Sequence, residues 1–257
     1  MNRALPKLAM TLWLASLSLS AATPVLAAEN LEANSVPSRV AAGATPSARA
    51  SNSQTWYARS RVETEYGMIM THYWSKGPMF RAETVVAGHP ITTIVNGPRY
   101  YVYDSATADG AAIERNATAI EEDASRGRPF GRELQDLIDA GGEKINEGSL
   151  GEGAMGFEVY QLTNENGRRR VLVTRSDLQI PIKIETFVRE TGTTGIMEYS
   201  SWQRGIQLED SFFQPPNTIV FEKISYPQYT ADYGRIPIGP APVYYRHLLH
   251  GSQTEAR

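Results

Sequence analysis

A chain of 257 residues is long enough for one large domain or two small ones, and 25 Lys and Arg against 28 Asp and Glu give it a formal charge of −3. The absence of cysteine excludes a disulfide scaffold, a thiolate metal site, a cysteine nucleophile and an acylated cysteine at a mature N-terminus. The mild acidity argues against nucleic acid as a partner.

The first residues have the layout of a cleaved export signal. Arg3 and Lys7 are followed by an apolar run, Leu8 to Ala22, and by the small-residue exit Thr23-Pro24-Val25-Leu26-Ala27-Ala28. Pro24 cuts the run short of the roughly 20 residues that a spanning helix needs, which disfavours a membrane anchor. Cleavage is expected near Ala27 or Ala28. The 25 basic residues then lose Arg3 and Lys7, leaving 23 against 28 acidic, a formal −5. The expected organisation is a signal over 1–28, a disordered leader over 29–54, a folded domain over 55–226 and a Tyr/Pro-rich tail over 227–257. The leader is Ala, Ser, Pro, Asn and Thr, too polar to offset its ordering entropy. No membrane span is expected after cleavage, and the expected compartment is the periplasm.

From Trp56 the pattern has period two. Trp56, Ala58, Ser60, Val62, Thr64 and Tyr66 alternate with Tyr57, Arg59, Arg61, Glu63 and Glu65, a half-buried strand ended by Gly67. Met68 to Lys76, Met79 to Val86, Ile91 to Val95 and Arg99 to Tyr103 follow, separated by Gly77-Pro78, Gly88-His89-Pro90 and Asn96-Gly97-Pro98. Turns this short leave no room for helical crossovers, so these strands form an antiparallel meander. Asp104 to Arg128 is polar, with a short helix expected around Ala117 to Ser125. Pro129 to Ala140 places Phe130, Leu134, Leu137 and Ile138 on one helical face, stopped by Gly141-Gly142. Strands resume at Phe157–Thr163, Arg169–Arg175, Ile180–Val188, Ile196–Trp202 and Thr218–Ile224, and the tail from Pro227 is expected to be irregular. The fold class is mainly β with one clear helix, a barrel-like or strongly curved sheet.

Catalytic chemistry finds little support. There is no Gly-x-Ser-x-Gly elbow. His72 lies in a strand, His89 in a turn, and His247 and His250 share a helical face without a third ligand, so no metal site is expected. Glu121-Glu122-Asp123 reads as a solvated helix face and Arg168-Arg169-Arg170 as a solvated hairpin end. The glycines of 141–156 do not follow a strand into a helix as a phosphate loop would. Neither a cofactor nor an enzymatic activity is expected.

Trp74-Ser75-Lys76-Gly77-Pro78-Met79-Phe80-Arg81-Ala82-Glu83, followed by Ile94-Val95-Asn96-Gly97-Pro98-Arg99-Tyr100-Tyr101-Val102-Tyr103-Asp104, resembles the paired strands of the LolA/LolB-like superfamily of periplasmic lipoprotein carriers. Arg170 to Ile184, with its Asp177 to Pro181 turn, and Asp210 with Phe212-Phe213-Gln214-Pro215-Pro216 are similar to the family's later segments. The resemblance implies an incomplete antiparallel β-barrel with a helical lid over an apolar cavity. It also implies a cargo of lipid or lipoprotein acyl chains, whose exposure costs about 0.8 kcal/mol per CH₂. Expected lining residues are Trp56, Met68, Met70, Trp74, Phe80, Tyr101 and Tyr103 from the sheet, and Phe130, Leu134 and Leu137 from the lid. Lys76 and Arg81 are the expected polar rim. The carriers have an Arg before the Pro of the first motif where this chain has Gly77. The alternative is an envelope protein-interaction or stress-sensing module on the same fold, with a filled barrel and no bound lipid.

Overall fold

The structure, a computed structural model, describes residues 55–64, 67–149, 155–165, 167–233 and 243–251. The expected signal and leader lie outside the described residues. The strands are β1 (Thr55–Thr64), β2 (Gly67–Lys76), β3 (Met79–Val86), β4 (His89–Asn96), β5 (Arg99–Asp104) and β6 (Asp109–Glu114), then β7 (Glu143–Ser149), β8 (Gly156–Thr163), β9 (Arg168–Arg175), β10 (Pro181–Val188), β11 (Thr193–Arg204) and β12 (Val220–Ile224). They form one 12-stranded sheet in the order β12-β6-β5-β4-β3-β2-β1-β11-β10-β9-β8-β7. Two antiparallel meanders, β1–β6 and β7–β11, thus meet through the β1–β11 pair, and β12 joins the edge parallel to β6. The sheet does not close, giving an incomplete barrel.

Short helices accompany it, among them α1 (Ala117–Glu122), α2 (Glu133–Asp139) and α3 (Arg246–His250). Asn116 caps α1, its side chain accepting a hydrogen bond from the Thr118 N–H. The helix expected over Pro129–Ala140 is confined to α2, and Phe130 precedes it in a loop. The Gly141-Gly142 stop is where the sequence places it: Gly141 N–H donates to the Ile138 carbonyl and Gly142 N–H to that of Leu137. The tail is not irregular throughout. It carries α3, and Tyr229, Leu248 and Leu249 are buried in the common core.

Register decides which face each residue joins. Ala58 opposes Tyr73, Tyr73 opposes Ala82, and Ser75 opposes Phe80, so these share one face with Val95, Tyr100, Val102 and Ile113. The residues of α2 and α3 pack into that same cluster. We call it the covered face. The other face of β2–β4 carries no helix in that cluster and is called the open face.

Candidate functional site

The residues expected to line one cavity divide between the two faces. Trp56, Phe80, Phe130, Leu134 and Leu137 lie on the covered side, and all but Trp56 are buried. Phe130 stacks on Tyr73 at 5.5 Å and on Trp202 at 5.8 Å, and lies 6.1 Å from Phe80. Tyr245 closes edge-on against Phe80 at 4.8 Å. The space between α2 and the sheet is filled by the protein's own side chains, each large one contributing about 1.5–3 kcal/mol of burial.

Met68, Met70, Trp74, Tyr101 and Tyr103 belong to the open face, as do Lys76 and Arg81. The expectation that they join Trp56 and Phe80 in one lining is corrected by the register. Both parities of β2 carry large apolar side chains, so alternation marks a strand without saying which side faces the core. Tyr73 points inward; its neighbour Trp74 packs outward between Tyr57, His72 and Phe212 at 5.5, 5.8 and 5.4 Å. Tyr101 and Tyr103 pack edge-on against Phe221 of β12.

The two rim cations hold a closing segment. Lys76 Nζ donates to Asp210 Oδ1 at 2.7 Å and to the Leu208 carbonyl at 2.9 Å. Arg81 donates to the Phe212 carbonyl at 2.8 Å, pairs with Glu83 and lies 4.4 Å over the Phe212 ring. This places the turn Asp210–Phe213 on the open face, beside a shallow hollow of about 700 Å³.

Further along the same face the ends of β2, β3 and β4 frame a groove of about 960 Å³. Met68, Met70, Val85 and Pro90 are among its apolar lining, and His72 and Glu83 among its polar lining. Met68 is 59% exposed, Met70 40% and Val85 58%, an unusual concentration of large apolar side chains in water. Periodicity places both methionines on one side of β2 but cannot show that this side lacks a covering helix.

The covered side holds one buried polar cluster that the sequence did not announce. Tyr199 of β11 donates to Glu133 Oε1 at 2.5 Å, and the Tyr73 and Ser60 hydroxyls lie 3.0 Å apart. A bulge brings Tyr199 there: Trp202 opposes Ala58 and Tyr199 opposes Ser60, with Ser200 the extra residue. Burial pushes the Glu133 carboxyl above its ordinary range; the Tyr199 hydrogen bond acts the other way without offsetting it. The histidines occupy separate places. His72 pairs with Tyr57, His89 with Asp104, His247 with the Pro129 carbonyl and His250 with Tyr226.

Two antiparallel meanders in an open sheet, with helices packed on one face and an Asp-x-Phe-Phe turn closing over the other, match the architecture that the sequence motifs imply. The fold is mainly β, an incomplete barrel of one open sheet with few helices. No protein-family model matches the chain, and no curated protein sequence does. Among solved structures, the chain is similar to an uncharacterized conserved protein from Thermus thermophilus, with 11% identity, a TM-score of 0.48, and 69% of this chain and 95% of that one covered. It is also similar to the MucA/MucB complex of Pseudomonas aeruginosa, with 11% identity, TM-score 0.41, and coverage of 67% and 60%. A third is a LolA superfamily protein from Nitrosomonas europaea, with 12% identity, TM-score 0.29, and coverage of 66% and 96%. Among the described residues no helix is long and apolar enough to cross a membrane.

Proposed function

We propose that this protein is an exported, non-catalytic binding protein of the periplasm, and that it holds an envelope protein partner in the groove at the ends of β2, β3 and β4. The observation that carries the reading is the position of the exposed apolar side chains. The helix-covered side is packed with Phe130, Leu134, Leu137 and Tyr245, whereas Met68, Met70 and Val85 stand in solvent around an open groove. Methionine is flexible and polarizable, and suits a surface that must mould itself to a partner's apolar side chains. His72 and Glu83 in its lining offer hydrogen bonds that fix the partner's orientation. A lipid or an acyl chain of a lipidated protein is the second reading, favoured by the amphipathic α2 over an aromatic floor. It requires α2 to move, because its side chains occupy the space.

Two measurements on protein expressed with its export signal separate these. A photo-crosslinking residue at Met70 is expected to capture a defined envelope protein, and one at exposed Ile145 of β7 is not. That protein, once purified, is expected to bind the wild type and to lose at least tenfold in affinity for Met70→Lys. Native mass spectrometry that shows bound lipid, with crosslinking no stronger at Met70 than at Ile145, would overturn the protein reading in favour of the lipid one.

A further inference from the structure

Glu133 is the first residue of α2, and its carboxyl head turns toward the sheet. Oε1 accepts from the Tyr199 hydroxyl, while Oε2 is out of contact with solvent and has no hydrogen-bond partner among the described residues. An ionised carboxylate so placed leaves an acceptor unsatisfied in an aromatic surrounding, which costs far more than a neutral carboxyl does. The segment around it is also held by His247, whose Nε2 lies 3.2 Å from the Pro129 carbonyl, and by Arg128. Arg128 donates to the Phe130 and Gly131 carbonyls and lies over the Trp56 and Trp202 rings at 4.7 and 5.6 Å.

We propose that Glu133 is a proton-controlled latch on the segment 127–140. With the carboxyl neutral the segment lies closed on the sheet. Ionisation releases it and uncovers the aromatic floor of Tyr73, Phe80 and Trp202.

The groups facing Glu133 support this direction. Tyr199 and Tyr73 from the sheet, and Tyr245 from the chain before α3, are phenols held neutral well above physiological pH by burial, so none supplies a positive charge. Asp136 on α2 adds a like charge. Arg128 is a cation that favours ionised Glu133, but its influence ranks below burial. Arg132 repels Arg128 in turn. On β8 and β9, which α2 also meets, the covered-face groups are Glu158, Tyr160 and Arg170. Glu158 is bonded to Lys144 and Tyr160. Because the closed state raises the carboxyl's pKa, it is most stable below the ordinary glutamate value. It loosens as pH rises through the elevated one.

Hydrogen exchange on the full chain, corrected for the intrinsic pH dependence of the amides, tests the latch. Between pH 5 and pH 8.5, protection of 127–140 is expected to fall about tenfold for each pH unit by which the closed state raises the Glu133 pKa. Protection of β4 and β5 should hold. In Glu133→Gln, which keeps the acceptor to Tyr199 and cannot ionise, the fall should vanish. Flat protection in the wild type would overturn the proposal, whatever the variant does. So would an equal fall in Glu133→Gln, or a parallel loss in β4 and β5, which would indicate global unfolding.

Discussion

Gly131 takes φ +68°, and a Cβ built there would stand 2.2 Å from Cη2 of Trp202, so both backbone and indole reject a side chain. Gly131→Ala is expected to cost about 1–3 kcal/mol, read as a lower urea midpoint at unchanged slope. Two substitutions distinguish the faces at the same scale. Leu137, fully buried, should lose about 2–5 kcal/mol on change to Ala, whereas Met70→Lys, in solvent, should stay within about 0.5 kcal/mol. A larger loss at Met70 would mean that the groove belongs to the core. Asp104 carries an acid-sensitive contribution. Burial opposes its ionisation, but hydrogen bonds from the Ala106 N–H and His89 hold its carboxyl below the usual range. The stability this confers is present above the unfolded carboxylate value and is lost as pH falls through the folded one. Asp104→Asn should flatten that acid limb in a pH series of thermal melts, and an unchanged limb would rule Asp104 out as its source.

At the scale of elements, α3 is the piece least expected from sequence and most involved in packing. Leu248 and Leu249 are fully buried, and the Leu248 carbonyl accepts from Arg115, itself paired with Asp123 beyond α1. Leu248→Ala with Leu249→Ala is expected to destabilise the whole domain by about 4 kcal/mol or more, seen as one cooperative transition moved to lower denaturant. Two separate transitions would show the tail to be an independent unit. The reasons such elements escape a sequence reading differ. Helix α3 is five residues long among Tyr and Pro, too short to show a period. Strand β6 is Asp-Gly-Ala-Ala-Ile-Glu, with a glycine where a Cβ would meet Tyr103 at 2.6 Å, so it lacks the β-branched signal of its neighbours. Strand β7 is an exposed edge with no buried side to alternate against. The hairpins β1–β5 were legible because their turns sit between strands of clear alternation, and α2 because its apolar face and its glycine stop agree. The facing of β2 was not legible, since its inward Tyr73 and outward Trp74 are equally apolar in sequence.

For the molecule as a whole, the fold presents two surfaces of opposite character. One is sealed by helices and by a polar cluster around Glu133; the other is open, with the Asp210–Phe213 turn anchored by Lys76 and Arg81 at one end and the methionine groove at the other. Binding through the open side needs no rearrangement of the core, whereas binding beneath α2 needs its side chains displaced. Partner binding and core stability are therefore separable. The most direct test is isothermal titration of the crosslink-identified partner against the wild type and the double variant Met68→Lys/Met70→Lys, with the melting temperature of each recorded. An affinity loss of tenfold or more at an unchanged melting temperature is predicted. Equal affinity for both proteins would contradict the assignment of the groove as the binding surface.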